Sequence, residues 1–272
     1  MKEQLSNQVN SNERRFALAT ETSARTRLDN FRDGVKDFQK QNPEVLGATV
    51  FGSMIKGDQA RGTSDIDAFL YIDKETLPEE KKNKSIDFVE SDYRSSFLKS
   101  LNIPEEDVSK YYSDLRPKLL DGQVLDNDIN SRIEYDNRMK AYKKMLEEKY
   151  TYETPDEEKE KLLSQEPQFK NDFAISGMFH ARVGSGIEKY RHLFLEKIEA
   201  LSDKEMAEKI WDDIYFDLKT YENRSDPNKK IEIPSTLSDA LRVYHPDLYK
   251  SINNKKDEDK IEELRFQINN SF

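Results

Sequence analysis

Val45-Leu46-Gly47-Ala48-Thr49-Val50-Phe51 is short, apolar and rich in β-branched residues; it runs into Gly52-Ser53 and is followed, eleven residues on, by Asp65-Ile66-Asp67. The first run predicts a strand. Glycines at 52, 57 and 62 follow it, and a second strand is predicted from Ile66 to Ile72. Along an extended chain residues i and i+2 share a face. Asp65 and Asp67 therefore stand side by side while Ile66 turns to the core. Two adjacent carboxylates repel unless a cation sits between them. Hard divalent ions such as Mg²⁺ take carboxylate oxygens and keep other positions for water and phosphate. Two carboxylates at this spacing bridge one ion or hold a pair about 3.5–4 Å apart. Aspartate is otherwise depleted in strands, which sets this pair apart from incidental surface acids. Upstream, Gly52 and Ser53 offer backbone N–H groups and a hydroxyl to an anion at a glycine-rich turn. Lys56 and Arg61 are candidate neutralising charges, though two among 44 basic residues carry less weight than the acids.

The combination of a hydrophobic strand, Gly-Ser and a later Asp-x-Asp between hydrophobics resembles the DNA polymerase β-like nucleotidyltransferase superfamily. Here it reads Val50-Phe51-Gly52-Ser53, then Asp65-Ile66-Asp67. The preceding Ser64, completing Ser-Asp-Ile-Asp, is similar to the small bacterial members, the antibiotic nucleotidyltransferases and minimal MNT-type proteins. The resemblance covers residues 45–73. It implies that Asp65 and Asp67 hold two Mg²⁺ and that Gly52 and Ser53, with Lys56 and Ser64, cradle a triphosphate. The implied reaction moves a nucleoside monophosphate from an NTP to an acceptor hydroxyl and releases pyrophosphate. The resemblance also implies a third carboxylate, on a neighbouring strand after an intervening helix, that completes the metal site and deprotonates the acceptor. Asp114, in Tyr112-Ser113-Asp114-Leu115, has the right order in the chain. Asp87, in Ser85-Ile86-Asp87-Phe88-Val89, has the hydrophobic-Asp-hydrophobic pattern but falls inside a segment of helical period. Asp114 is preferred and Asp87 is the alternative; without a third carboxylate the site would bind nucleotide and not turn it over.

Around this island the chain reads as helix. Leu28, Phe31, Val35 and Phe38 recur at three- and four-residue steps within a helix expected over 12–41 and stopped by Pro43. Ile86, Val89, Tyr93, Phe97 and Leu101 predict a helix over 84–101, and Ile133, Met139, Tyr142, Met145 and Leu146 one over 129–150. Between them, Tyr111 to Leu115 is a candidate strand ended by Arg116-Pro117. The acidic, proline-containing stretch Thr151 to Pro167 reads as a solvated linker and domain boundary. Beyond it, Phe179, Val183, Ile187, Tyr190, Phe194, Ile198 and Leu201 predict one helical stripe, and Met206, Ile210, Ile214, Leu218 and Tyr221 another. Gly184-Ser185-Gly186 interrupts the first stripe and reads as a helix break or close packing contact, since no strand precedes it as a dinucleotide fingerprint requires. His180, Arg182, Arg191 and His192 are surface or capping residues unless the second domain folds back over the cleft. A connector over 228–234, a short helix near 236–243 and a polar segment from about 251 complete the chain. The expected fold class is α+β: a small mixed sheet with flanking helices in residues 1–150, then an α-helical domain in 151–272.

Composition narrows the function classes. Charged residues make up 36% and hydrophobic ones 35%, but aromatics reach 10% and the net charge is only −10, so a packed core is expected rather than a disordered chain. There is no cysteine, which excludes disulfide scaffolds, Fe–S clusters and thiol nucleophiles. Three scattered histidines, at 180, 192 and 245, make no metal site. The acidic balance argues against broad binding to polyanions. No apolar run has membrane-spanning length, and the first residues carry no apolar leader, so a cytoplasmic location is expected. The expected partners are an NTP and an acceptor of open identity: a small molecule, a tRNA or a protein. The alternatives are a degenerate nucleotidyltransferase acting as a binding or antitoxin-like protein, and a helical interaction protein in which the β island is scaffold. Oligomeric state is open.

Overall fold

Ala68-Phe69-Leu70-Tyr71-Ile72 is apolar throughout, with none of the alternation of a half-exposed strand, because both of its faces are covered. The structure is a computed structural model and describes Phe16 and residues 22–55, 62–168 and 173–210. Strands β1 (Val45–Phe51), β2 (Asp67–Asp73), β3 (Leu115–Leu120) and β4 (Ala181–Val183) form a mixed sheet in the order β3-β2-β1-β4. β1 runs antiparallel to β2 and to β4, and β2 runs parallel to β3. The helices are α1 (Thr22–Gln41), α2 (Glu79–Lys82), α3 (Ile86–Ser100), α4 (Glu105–Tyr111), α5 (Gly122–Lys149), α6 (Asp156–Leu163), α7 (Phe173–Gly177) and α8 (Ile187–Glu199). The expected α+β architecture is the observed one.

Alternate residues of β2 feed two cores. Ile66, Ala68, Leu70 and Ile72 join Leu28, Phe31, Val50 and Phe97 under α1 and α3. There Phe97 meets Phe31 edge-on at 5.6 Å and Phe38 at 5.3 Å. On the other face, Phe69 and Tyr71 join Ile129, Ile175, Tyr190 and Phe194 from α5, α7 and α8. The Tyr71 hydroxyl donates to the Ala174 carbonyl at 2.6 Å, tying β2 to α7. At the far end of β2 the buried Asp73 carboxylate accepts from the Tyr190 hydroxyl at 2.9 Å and pairs with Lys189 at 3.2 Å. Burial and that hydrogen bond push the Tyr190 pKa well above its usual value. α8 is thus bolted to the same strand that begins with Asp67.

Several elements differ from the sequence-based expectation. The candidate strand Tyr111 to Leu115 is displaced: Tyr111 closes α4, and the strand begins only at Leu115 and continues through Pro117. Proline is tolerated because β3 is the edge of the sheet, where one row of N–H groups has no partner to lose. α5 starts at Gly122 instead of 129, because Asp121 caps it by accepting from the Val124 N–H at 2.8 Å. The acidic stretch after 151 carries α6, whose Leu162 is buried. The stripe from Phe179 is not one helix: residues 181–183 pair with β1, and α8 begins only at Ile187. Gly184 makes the turn with φ +91°, and a Cβ on Gly186 would sit 2.8 Å from Leu46 Cα, so the Gly-Ser-Gly run is a close packing contact. Met206 and Ile210 are buried in a helical segment over 204–210. Ile214, Leu218, Tyr221, the connector over 228–234 and the helix near 236–243 lie outside the described residues, as does the part of the 12–41 helix before residue 22, Phe16 excepted. No helix among the described residues is long and apolar enough to cross a membrane.

Candidate active site

β2 opens with Asp67, and Ile66 just before it is fully buried. The Ile66 N–H donates to the Tyr111 carbonyl at 2.7 Å, which holds this residue in the core and turns its two neighbours outward. Parallel pairing sets Ala68 level with Leu115, so Asp114 arrives level with Asp67; the Ala68 N–H reaches the Asp114 carbonyl at 3.4 Å. As a result, one carboxylate oxygen from each of Asp65, Asp67 and Asp114 lies within 4.8 Å of the other two. All three residues are half-buried. Asp87 is elsewhere: it is exposed in the first turn of α3, after the Ser85 cap, where a negative charge suits the helix dipole.

Gly52 follows β1 directly and faces Asp67. Its φ is +72°, and a Cβ there would fall 1.8 Å from Asp67 Oδ2. Only glycine lets the backbone pass this close to the carboxylate. Ser53 lies half-buried in the 3₁₀ turn Gly52–Ile55, which is anchored by the buried Met54 and Ile55. Lys56 and Arg61 lie outside the described residues. Ser64 is half-buried and its carbonyl accepts from Arg27.

Sequence reasoning did not find the arginines that hold these loops. Arg27 of α1 donates to the Gly62 carbonyl at 2.7 Å and to the Ser64 carbonyl, with its guanidinium 3.6 Å over the Tyr111 ring. Arg94 of α3 donates to the carbonyls of Leu115 at 2.9 Å, Tyr112 at 3.0 Å and Ser113 at 3.3 Å, wrapping the turn that carries Asp114. Behind that turn, burial pushes the Tyr112 hydroxyl up to about 12. Arg116 pairs with Asp114 itself at 2.8 Å. Arg182 and Arg191 instead both turn to Glu188, at 3.0 Å and 2.5 Å. We expect Arg94→Ala to cost about 1.5–3 kcal/mol in urea unfolding, the range for hydrogen bonds that involve a charged group. An unchanged midpoint would show that the three carbonyls are equally served by water.

Chemically, three convergent carboxylates beside the Gly52 turn make a hard, oxygen-only donor set suited to Mg²⁺ or Mn²⁺. No curated protein and no solved structure matches the chain. The profile of a family described as a nucleotidyltransferase domain matches residues 28–120, a span that runs from α1 to the end of β3 and contains all three acids. Residues 28–120 are thus similar to the nucleotidyltransferase domain family, consistent with the polymerase β-like superfamily.

Proposed function

We propose that the protein transfers a nucleoside monophosphate from an NTP to an acceptor hydroxyl, with Mg²⁺ held by Asp65, Asp67 and Asp114. The convergence of the three carboxylates within 4.8 Å carries this reading. Three anions so close repel one another unless cations are present, and oxygen-only donors in that number match Mg²⁺. The ions would supply charge stabilisation at the phosphates and at the attacking and leaving oxygens. The chain supplies the rest. Gly52 and Ser53 present backbone N–H groups and a hydroxyl to the triphosphate, with Lys56 and Ser64 as further contacts. Asp114, at the start of the edge strand and partly open to solvent, accepts the proton of the acceptor hydroxyl. The net charge of −10 favours a cationic acceptor over a long nucleic acid.

A panel of labelled NTPs with Mg²⁺, incubated with small aminoglycoside-like, tRNA and protein acceptors, tests this. The expected result is Mg²⁺-dependent label transfer with stoichiometric pyrophosphate. An NTP at a hundred times its Kd should also stabilise the protein by about 2.7 kcal/mol. Stabilisation with no transfer to any acceptor would identify a binding protein on the same fold. Absence of both would overturn the assignment.

A further inference from the structure

Arg116 lies on β3 two residues past Asp114, so the two side chains share a face of the sheet. Its Nη2 donates to Asp114 Oδ1 at 2.8 Å, and its side chain is 62% exposed against 42% for Asp114. In register, Arg116 is level with Phe69, which stacks on Phe51 at 5.1 Å beside the carboxylate group. A guanidinium therefore stands at the solvent rim of three converging acids. Such a placement has two consequences. The positive charge relieves part of the repulsion among Asp65, Asp67 and Asp114 when no other cation is there. The same charge opposes an incoming divalent ion. An exposed ion pair is held weakly, so Asp114 can be surrendered to an ion at small cost. The freed guanidinium then has a planar fork of donors, which fits phosphate oxygens two at a time.

We propose that Arg116 is the resident counter-ion of the carboxylate group and a polyphosphate-binding residue. When divalent ions enter, it exchanges the Asp114 carboxylate for a phosphate of the nucleotide. This rests on the metal and nucleotide assignment above, and it makes a prediction of opposite signs. A unit charge and a divalent ion about 6 Å apart in a water-like dielectric repel by an amount equivalent to about tenfold in affinity. Arg116→Ala should therefore tighten Mn²⁺ binding about five- to tenfold, measured without phosphate by the paramagnetic resonance of free Mn²⁺. The same variant should weaken inorganic tripolyphosphate about tenfold, measured by calorimetry in Mg²⁺-saturated buffer. Arg116→Lys keeps the charge and loses the fork, so its Mn²⁺ affinity should stay near wild type while tripolyphosphate binding recovers only in part. Damage to the fold would weaken both ligands together and cannot produce this split. Mn²⁺ affinity that is unchanged or lower in Arg116→Ala overturns the proposal, and so does undisturbed tripolyphosphate binding. A wild-type protein that binds no Mn²⁺ would instead sink the metal assignment of Asp65, Asp67 and Asp114, and the exchange with it.

Discussion

Asp65→Asn combined with Asp67→Asn is expected to abolish nucleotidyl transfer while leaving the protein folded and, without metal, slightly more stable. Asparagine keeps the shape of the side chain and removes the charge. The divalent ions would lose two of three anionic ligands, and with them several kcal/mol of charge stabilisation at the phosphates, a rate loss of about a thousandfold or more. Stability should move the other way. Carboxylate oxygens within 4.8 Å of each other repel by about 1 kcal/mol per pair at the dielectric of water. Neutralising two of the three should raise the metal-free Tm by a few degrees, and the Mg²⁺-dependent rise in Tm should disappear. Transfer that survives in the double variant would refute the metal assignment, and a lower metal-free Tm would mean that the three acids are not mutually repelling in solution.

Gly52→Ala should be nearly as damaging through a single methyl group. The residue sits at φ +72°, which costs a non-glycine residue about 1–3 kcal/mol. The new Cβ would also lie 1.8 Å from Asp67 Oδ2 and 2.8 Å from its Cγ, so the carboxylate has to leave its place. Expected together are a loss of about 2–4 kcal/mol in chemical unfolding and a loss of Mn²⁺ binding. Gly122→Ala is the matched control. A Cβ there meets nothing within 4 Å, and position 122 opens α5. Alanine at that point should leave metal binding intact and gain up to about 1 kcal/mol. If both variants bind Mn²⁺ like wild type, the close passage of Gly52 past Asp67 has no functional weight.

The strand pair and its acids were legible because they are local. Val45–Phe51 and Asp65-Ile66-Asp67 announce themselves by β-branched runs, glycine and an i, i+2 spacing, all contained within a few residues. Asp114 was reachable by chain order, but its level with Asp67 is a property of the β2–β3 register, which no local pattern encodes. Pro117 pointed the wrong way: it reads as a strand terminator, yet on an edge strand the missing N–H goes unnoticed. β4 was hidden for a different reason. It is three residues long, and Phe179, Val183 and Ile187 are four apart, so the helical period continues across a segment that is not helical. Arg27 and Arg94 left no signal at all. Their partners are main-chain carbonyls, which every residue possesses, and choosing two guanidiniums from 44 basic side chains takes the tertiary fold.

The sheet's order in space is not its order in time. β1, β2 and β3 leave the ribosome in succession, but the strand that covers the outer side of β1 ends only at residue 183, some sixty residues after β3. At about 5–20 residues per second, that is a delay of several seconds. Throughout it, the nascent chain carries a bare β1 edge next to Leu46, Phe69 and Tyr71, whose apolar cover of α7 and α8 is also still unmade. The three acids can meet early, whereas shelter from intermolecular strand pairing comes late, so until residues 181–183 dock the growing polypeptide presents an open strand edge to its neighbours.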